Sequence, residues 1–115
     1  MFIINRSVAI IRPKQPFVDW ANSIVDEERY SVSDFGTDCS VILLPVTDSD
    51  EDAEAFIKDI FKDVFEMELS SWVVDDEMWP ETITYEMFLD WFDVEYHSMA
   101  FDSLKDDIEK ENYEY

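Results

Sequence analysis

The stretch Cys39-Ser40-Val41-Ile42-Leu43-Leu44-Pro45, followed within a few residues by Asp48-Ser49-Asp50-Glu51-Asp52-Ala53, decides the fold. Its first part carries no charge and is rich in branched side chains. It reads as a strand buried on both faces, and therefore as the centre of a sheet. Pro45 stops it, because proline cannot donate to a ladder. Asp48-Ser49 then starts the longest helix, over about residues 49–68. Ser49 is its cap, Asp52 follows three residues later, and the early acids suit the positive end of the helix dipole. Ala53, Phe56, Ile57, Ile60, Phe61, Val64 and Phe65 recur at helical spacing and form its core face.

Toward the N-terminus, Ser7-Val8-Ala9-Ile10-Ile11-Arg12 is a β-branched run closed by Pro13, a second strand. Pro16 suits the first position of a helix, and Phe17, Trp20, Ala21, Ile24 and Val25 form its apolar stripe. That helix is expected to give way at Asp26-Glu27-Glu28, and a loop from Ser33 to Asp38 holds Gly36, the only glycine. Toward the C-terminus, Leu69 to Val74 is expected to form a third strand around Trp72. Thr84 caps a short helix from Tyr85 to Phe92, with Ile83 placed to pack on Phe88. Val94 to Phe101 reads as a fourth strand. The order β-α-β-α-β-α-β predicts an α+β fold, a single-domain sandwich with helices on one face of a mixed or antiparallel sheet. The runner-up is a doubly wound parallel sheet. The domain spans residues 1–101, and 102–115 form a polar, charged C-terminal tail, helical or frayed.

The 115 residues include 29 Asp and Glu against 8 Lys and Arg, a formal charge of −21. High charge alone would favour disorder, but 47% of the residues are apolar and 16% aromatic, enough to build a core. No run is long and apolar enough to span a bilayer, and the N-terminus has no secretory-signal pattern. A lone cysteine, Cys39, excludes an internal disulfide and a multi-cysteine zinc site and reads as a small buried side chain. The expected compartment is the cytoplasm. So negative a chain repels nucleic acid and anionic lipid, so neither direct nucleic-acid nor membrane binding is expected, and the partner is expected to be basic. Solubility, or a salt-loving host, would account for the same balance without a partner.

Arg12-Pro13-Lys14-Gln15-Pro16-Phe17 with Asp19-Trp20, then Trp79-Pro80, then Trp91-Phe92-Asp93-Val94-Glu95-Tyr96-His97-Ser98-Met99, resembles a family of small acidic uncharacterised bacterial proteins. The resemblance covers most of the chain. It implies a bacterial cytoplasmic setting and brings no catalytic residues with it.

The chemistry-bearing pattern lies on the long helix. At 100° per residue Asp52, Asp59, Asp63 and Glu66 fall on one line opposite the Phe/Ile face, with Lys58 and Lys62 on the adjacent flank. Asp75 and Asp76 extend the acidity beyond it, and residues 48–77 hold twelve acids against two lysines. Such a stripe can take the Arg and Lys contacts of a cationic groove, or simply face water. Asp48 to Asp52 starts like a calcium loop, but Ala53 stands where the turn glycine belongs and Asp59 where a bidentate Glu belongs. His97, the only histidine, has Asp93 and Glu95 nearby, yet one histidine falls short of the usual zinc and iron sets. Trp20, Trp72, Trp79, Tyr113 and Tyr115 suit either core filling or interface anchoring. No catalytic residue, metal or cofactor is implied. The reading is a non-enzymatic acidic binding protein that engages a basic macromolecule, as a nucleic-acid mimic or inhibitor of a DNA- or RNA-binding protein. Its alternatives are an antitoxin or immunity protein for a basic nuclease, and a carboxylate/His metal-dependent enzyme centred on His97.

Overall fold

The chain runs β1 (Phe2–Ile4), β2 (Ser7–Pro13), α1 (Gln15–Ile24), α2 (Val32–Phe35), β3 (Ser40–Leu44), α3 (Asp50–Trp72), a single 3₁₀ turn (Asp76–Met78), α4 (Tyr85–Trp91), β4 (Phe92–His97) and β5 (Ala100–Asp102). The computed structural model describes residues 1–24, 29–35 and 38–115. Val25, the expected helix end at Asp26-Glu27-Glu28 and the Gly36 turn lie outside the described residues. The fold is α+β, with two antiparallel sheets: β3-β2-β4 and the short pair β1-β5.

β2 is central because it alone pairs on both sides, Ala9 standing between Ile42 of β3 and Tyr96 of β4. Its side chains alternate between buried and half-buried. Inward rows Ile42–Ala9–Tyr96 and Ser40–Ile11–Val94 meet the helices, and Leu44, Ala9, Ile11 and Phe92 are fully or almost fully buried. Leu43–Val8–His97 and Val41–Ile10–Glu95 form the rows of the opposite face. This corrects the expectation for the uncharged run at 39–44. β3 is an edge strand, and Val41 and Leu43 are 59% and 45% exposed. Lack of charge permits burial on both faces but does not require it, and here helices cover one face only.

α3 keeps its expected start. Ser49 accepts a hydrogen bond from the Asp52 backbone N–H (3.2 Å), satisfying one of the free donors of the first turn. It runs to Trp72, so the third strand expected at 69–74 does not form. Leu69 and Trp72 continue the core-facing stripe one turn further, and the Val73 N–H closes the helix on the Leu69 carbonyl (2.9 Å). α4 begins as read, with Thr84 accepting from the Met87 N–H (3.1 Å) and Ile83 packed against the core. It passes into β4 at Phe92 without a loop.

The single strand expected over 94–101 is divided. β4 stops at His97, and β5 pairs with β1, a strand the sequence pattern left unassigned. Between the two ladders residues 5–7 face only 98–99, the one-residue surplus of a bulge. Ser7, 1% exposed, ties this point together. Its hydroxyl oxygen accepts from the Thr47 N–H (3.2 Å) and lies 3.5 Å from the Ser98 carbonyl. Asp102 closes β5, and 103–115 follow without helix or strand.

Aromatic rings fill the core. Phe65 lies 5.1 Å from Trp91 and 5.2 Å from Phe92, and Phe17 lies 5.3 Å from Phe92 and from Trp20. Three indoles serve as internal anchors. Trp20 donates to the Met78 carbonyl (3.0 Å), Trp72 to Ala21 (3.3 Å) and Trp79 to Val73 (2.8 Å), joining α1 to the end of α3 and the turn beyond it. Tyr113 and Tyr115 are the exposed members of the aromatic set. Phe65→Ala is expected to cost about 3–5 kcal/mol in urea unfolding, whereas Ser49→Ala costs about 1 kcal/mol through loss of the cap alone.

Candidate functional site

Amphipathic spacing places Asp52, Asp59 and Asp63 on the solvent side of α3, all three exposed. With a rise of about 1.5 Å per residue, the line from Asp52 to Glu66 spans about 21 Å. Glu66 is half-buried at the far end of the line. The C-terminal tail returns here: the Tyr115 ring lies 5.9 Å from Trp79, and its hydroxyl is hydrogen-bonded to Glu66. Partial desolvation of its hydroxyl, reinforced by the charges of Glu66 and Asp63, holds the Tyr115 phenol above its ordinary pKa although the side chain is largely exposed. The sequence-selected stripe is therefore brought together, but its last carboxylate is already engaged by the chain's own terminus.

Asp75 and Asp76 lie past the end of α3, both exposed. Asp75 caps the 3₁₀ turn, its carboxylate accepting from the Glu77 N–H (3.0 Å). Asp76 opens that turn and its carbonyl accepts from the Trp79 N–H (3.2 Å). Lys58, on the flank of α3, sits 5.3 Å from the centre of the Tyr85 ring, turned toward α4 rather than toward the stripe. Among the described residues no cation lies within ion-pair distance of Asp52, Asp59 or Asp63.

The histidine site stands on the open face of the sheet. Glu95 bridges two side chains: Arg12 Nη1 lies 3.1 Å from its Oε1, and His97 Nε2 lies 2.7 Å from its Oε2. The hydrogen bond from His97, with Arg12 beside it, holds the Glu95 carboxyl below the usual carboxylate range. Alternation along β4 puts Asp93 on the same face, opposite Arg12 in register. Among the described residues no group of three or more His, Cys, Asp or Glu is arranged to hold a metal. Cys39 is half-buried ahead of β3, with its thiol 3.8 Å from the Phe35 carbonyl.

Sequence reasoning missed Glu68. Counted there among the acids of residues 48–77, it is 7% exposed and points inward from α3. Its Oε1 has no hydrogen-bond partner among the described residues. Burial pushes its carboxyl above the ordinary range, with a hydrogen bond from Ser40 acting the other way. The signal was present: residue 68 is four beyond Val64 and eleven beyond Ile57, on the buried side of the helix. It was obscured by ending the helix at 68.

No helix among the described residues is long and apolar enough to cross a membrane. Comparison with protein-family models, with curated proteins and with solved structures yields no match.

Glu68 carries a stability consequence of definite sign. An acid whose pKa rises on folding binds more protons folded than unfolded, so it erodes stability as pH climbs from the ordinary carboxylate range through its folded value. Glu68→Gln is expected to stabilise the protein at neutral pH by about 1–2 kcal/mol, because the amide is buried with no charge to desolvate. The gain should vanish below the ordinary carboxylate pKa, as read from thermal unfolding at a series of pH values.

Proposed function

We propose that the protein binds a basic macromolecule through the outer face of α3, acting as a nucleic-acid mimic or inhibitor of a DNA- or RNA-binding protein. The observation that carries this reading is the exposed line of Asp52, Asp59 and Asp63, with no cation of the chain engaging it among the described residues. Asp75 and Asp76, exposed on the turn that follows α3, add to its acidity, and Glu66 contributes where Tyr115 leaves it accessible. Carboxylates held on a rigid helix lose little conformational freedom on meeting Arg and Lys, and charge-assisted hydrogen bonds to them are the strong kind.

Charge is also unevenly distributed. The hollow at the β1-β5 end is lined by Arg6, Lys105 and Lys110 together with Asp102, Asp106 and Asp107, a balanced set. On α3 the acids outnumber Lys58 and Lys62, the two bases on the adjacent flank. An acidic protein of this kind steers a cationic partner toward one side of itself, which speeds association at low ionic strength. A cytoplasmic setting fits this role and remains part of the proposal.

The experiment is capture from host lysate by immobilised protein at low and high salt, with Asp59→Lys/Asp63→Lys beside the wild type. The double variant should keep its circular dichroism spectrum and melting behaviour. A captured basic protein should bind the wild type at least about tenfold more tightly than the variant, lose affinity with salt, and be released from its nucleic acid by the wild type. Equal capture by both proteins would defeat the assignment to this face.

A further inference from the structure

Behind α3, on the side opposite the acidic line, lies a second polar feature that needs no external partner protein. A hollow of about 270 Å³ opens between the start of β3 and the last turns of α3, with Phe17, Phe35 and Trp72 as aromatic walls and Ser40 and Glu68 as polar ones. A wider recess of about 500 Å³ shares Phe35, Asp38 and Trp72 with it and reaches the exterior beside Asp34 and Arg29. The two make one cleft with an acid at its inner end and two more near its mouth.

Glu68 is the feature this cleft must explain. Of the inward positions on α3, Ala53, Ile57, Val64, Phe65 and Leu69 are apolar, and Glu68 alone among those buried is charged. Ser40 satisfies one side of its carboxyl, and Oε1 is left with no donor. A leucine there would fill the space without stranding an acceptor, so the position forfeits stability. The terminal torsion of a glutamate is broad, and turning the carboxyl group can present either oxygen to the hollow. A ligand that supplied an N–H together with positive charge would satisfy both the missing donor and the missing counter-charge. Its methylenes would lie against the rings of Phe35 and Trp72, whose faces also attract a cation. Near the mouth Asp34 and Asp38 stand with Arg29, two acids to one base among the described lining residues, a balance that favours a cation over an anion.

We propose that this cleft binds a primary alkylammonium group, with Glu68 receiving its N–H at the inner end. The group belongs either to a free alkyl amine or to a lysine side chain. The inference does not rest on the α3 outer face.

The test uses n-butylammonium chloride and, separately, Nα-acetyl-lysine-N-methylamide, titrated into the full-length protein at constant ionic strength. The readouts are calorimetry and the indole N–H resonance of Trp72, assigned through Trp72→Phe. Saturable binding of butylammonium with a shift of that resonance is expected. Tetramethylammonium, which has no N–H to donate, should bind at least about tenfold more weakly. Glu68→Gln should fold and lose butylammonium affinity by about tenfold or more, and Asp38→Asn, on the exposed rim, should lose a few-fold. Asp59→Lys/Asp63→Lys should bind butylammonium like the wild type, which separates this site from the stripe. Binding of both probes assigns the cleft to side chains as well as free amines, and binding of butylammonium alone assigns it to free amines. No saturable binding, equal binding of tetramethylammonium, or undiminished binding by Glu68→Gln would overturn the proposal.

Discussion

Contact between α3 and the aromatic rings of the α4–β4 junction is the interaction on which the molecule depends. Phe65 touches Phe88, Trp91 and Phe92, and Phe92 in turn touches Phe17 of α1. These few rings connect both helical connections to the inner face of the sheet. A chain with a formal charge of −21 repels itself in every compact arrangement, so the attraction that closes it must come from apolar surface. Large rings supply much of that surface per residue, and their tilted and edge-on contacts add to it. The aromatic abundance and the acidity are thus two sides of one balance.

The same division organises the surface. Acids occupy the positions that helical periodicity turns outward, leaving the inner rows of the sheet and the inner side of α3 to hydrocarbon. Two departures from the rule, among several exposed apolar side chains, are instructive. On the outer face of the sheet Val41 and Leu43 are exposed on the same side as the Arg12–Glu95–His97 cluster, where no helix among the described residues covers them. At the inner side of α3 Glu68 sits where an apolar residue would be cheaper. The first departure follows from having one helical layer. The second has no packing explanation, and a ligand-binding cleft accounts for it.

The tail illustrates how contacts far apart in sequence change the meaning of a local pattern. Glu66 belongs to the acidic line by helical geometry, yet Tyr115, itself beside Trp79, is hydrogen-bonded to it. The proposed binding face is therefore centred on Asp52, Asp59 and Asp63, with Tyr115 at its far end. Asp75 and Asp76 are tied to the turn that positions Trp79, so their backbone geometry is structural even where their carboxylates face water.

Much of this was legible in the chain by itself. The caps at Ser49 and Thr84, the stripe from Ala53 to Phe65, the strand ending at Pro13 and the outward direction of Asp52, Asp59 and Asp63 all follow from local chemistry. Each depends on residues within a turn or two of one another, where backbone geometry dictates which side chains share a face. Only the folded molecule decided that β2 and not β3 is the central strand, that Leu69–Trp72 extend a helix, and that β5 pairs with β1. It alone buried Glu68 and laid Tyr115 over Glu66. Those outcomes depend on which distant segment comes to lie alongside, and helical or strand spacing carries no record of the neighbour across the gap.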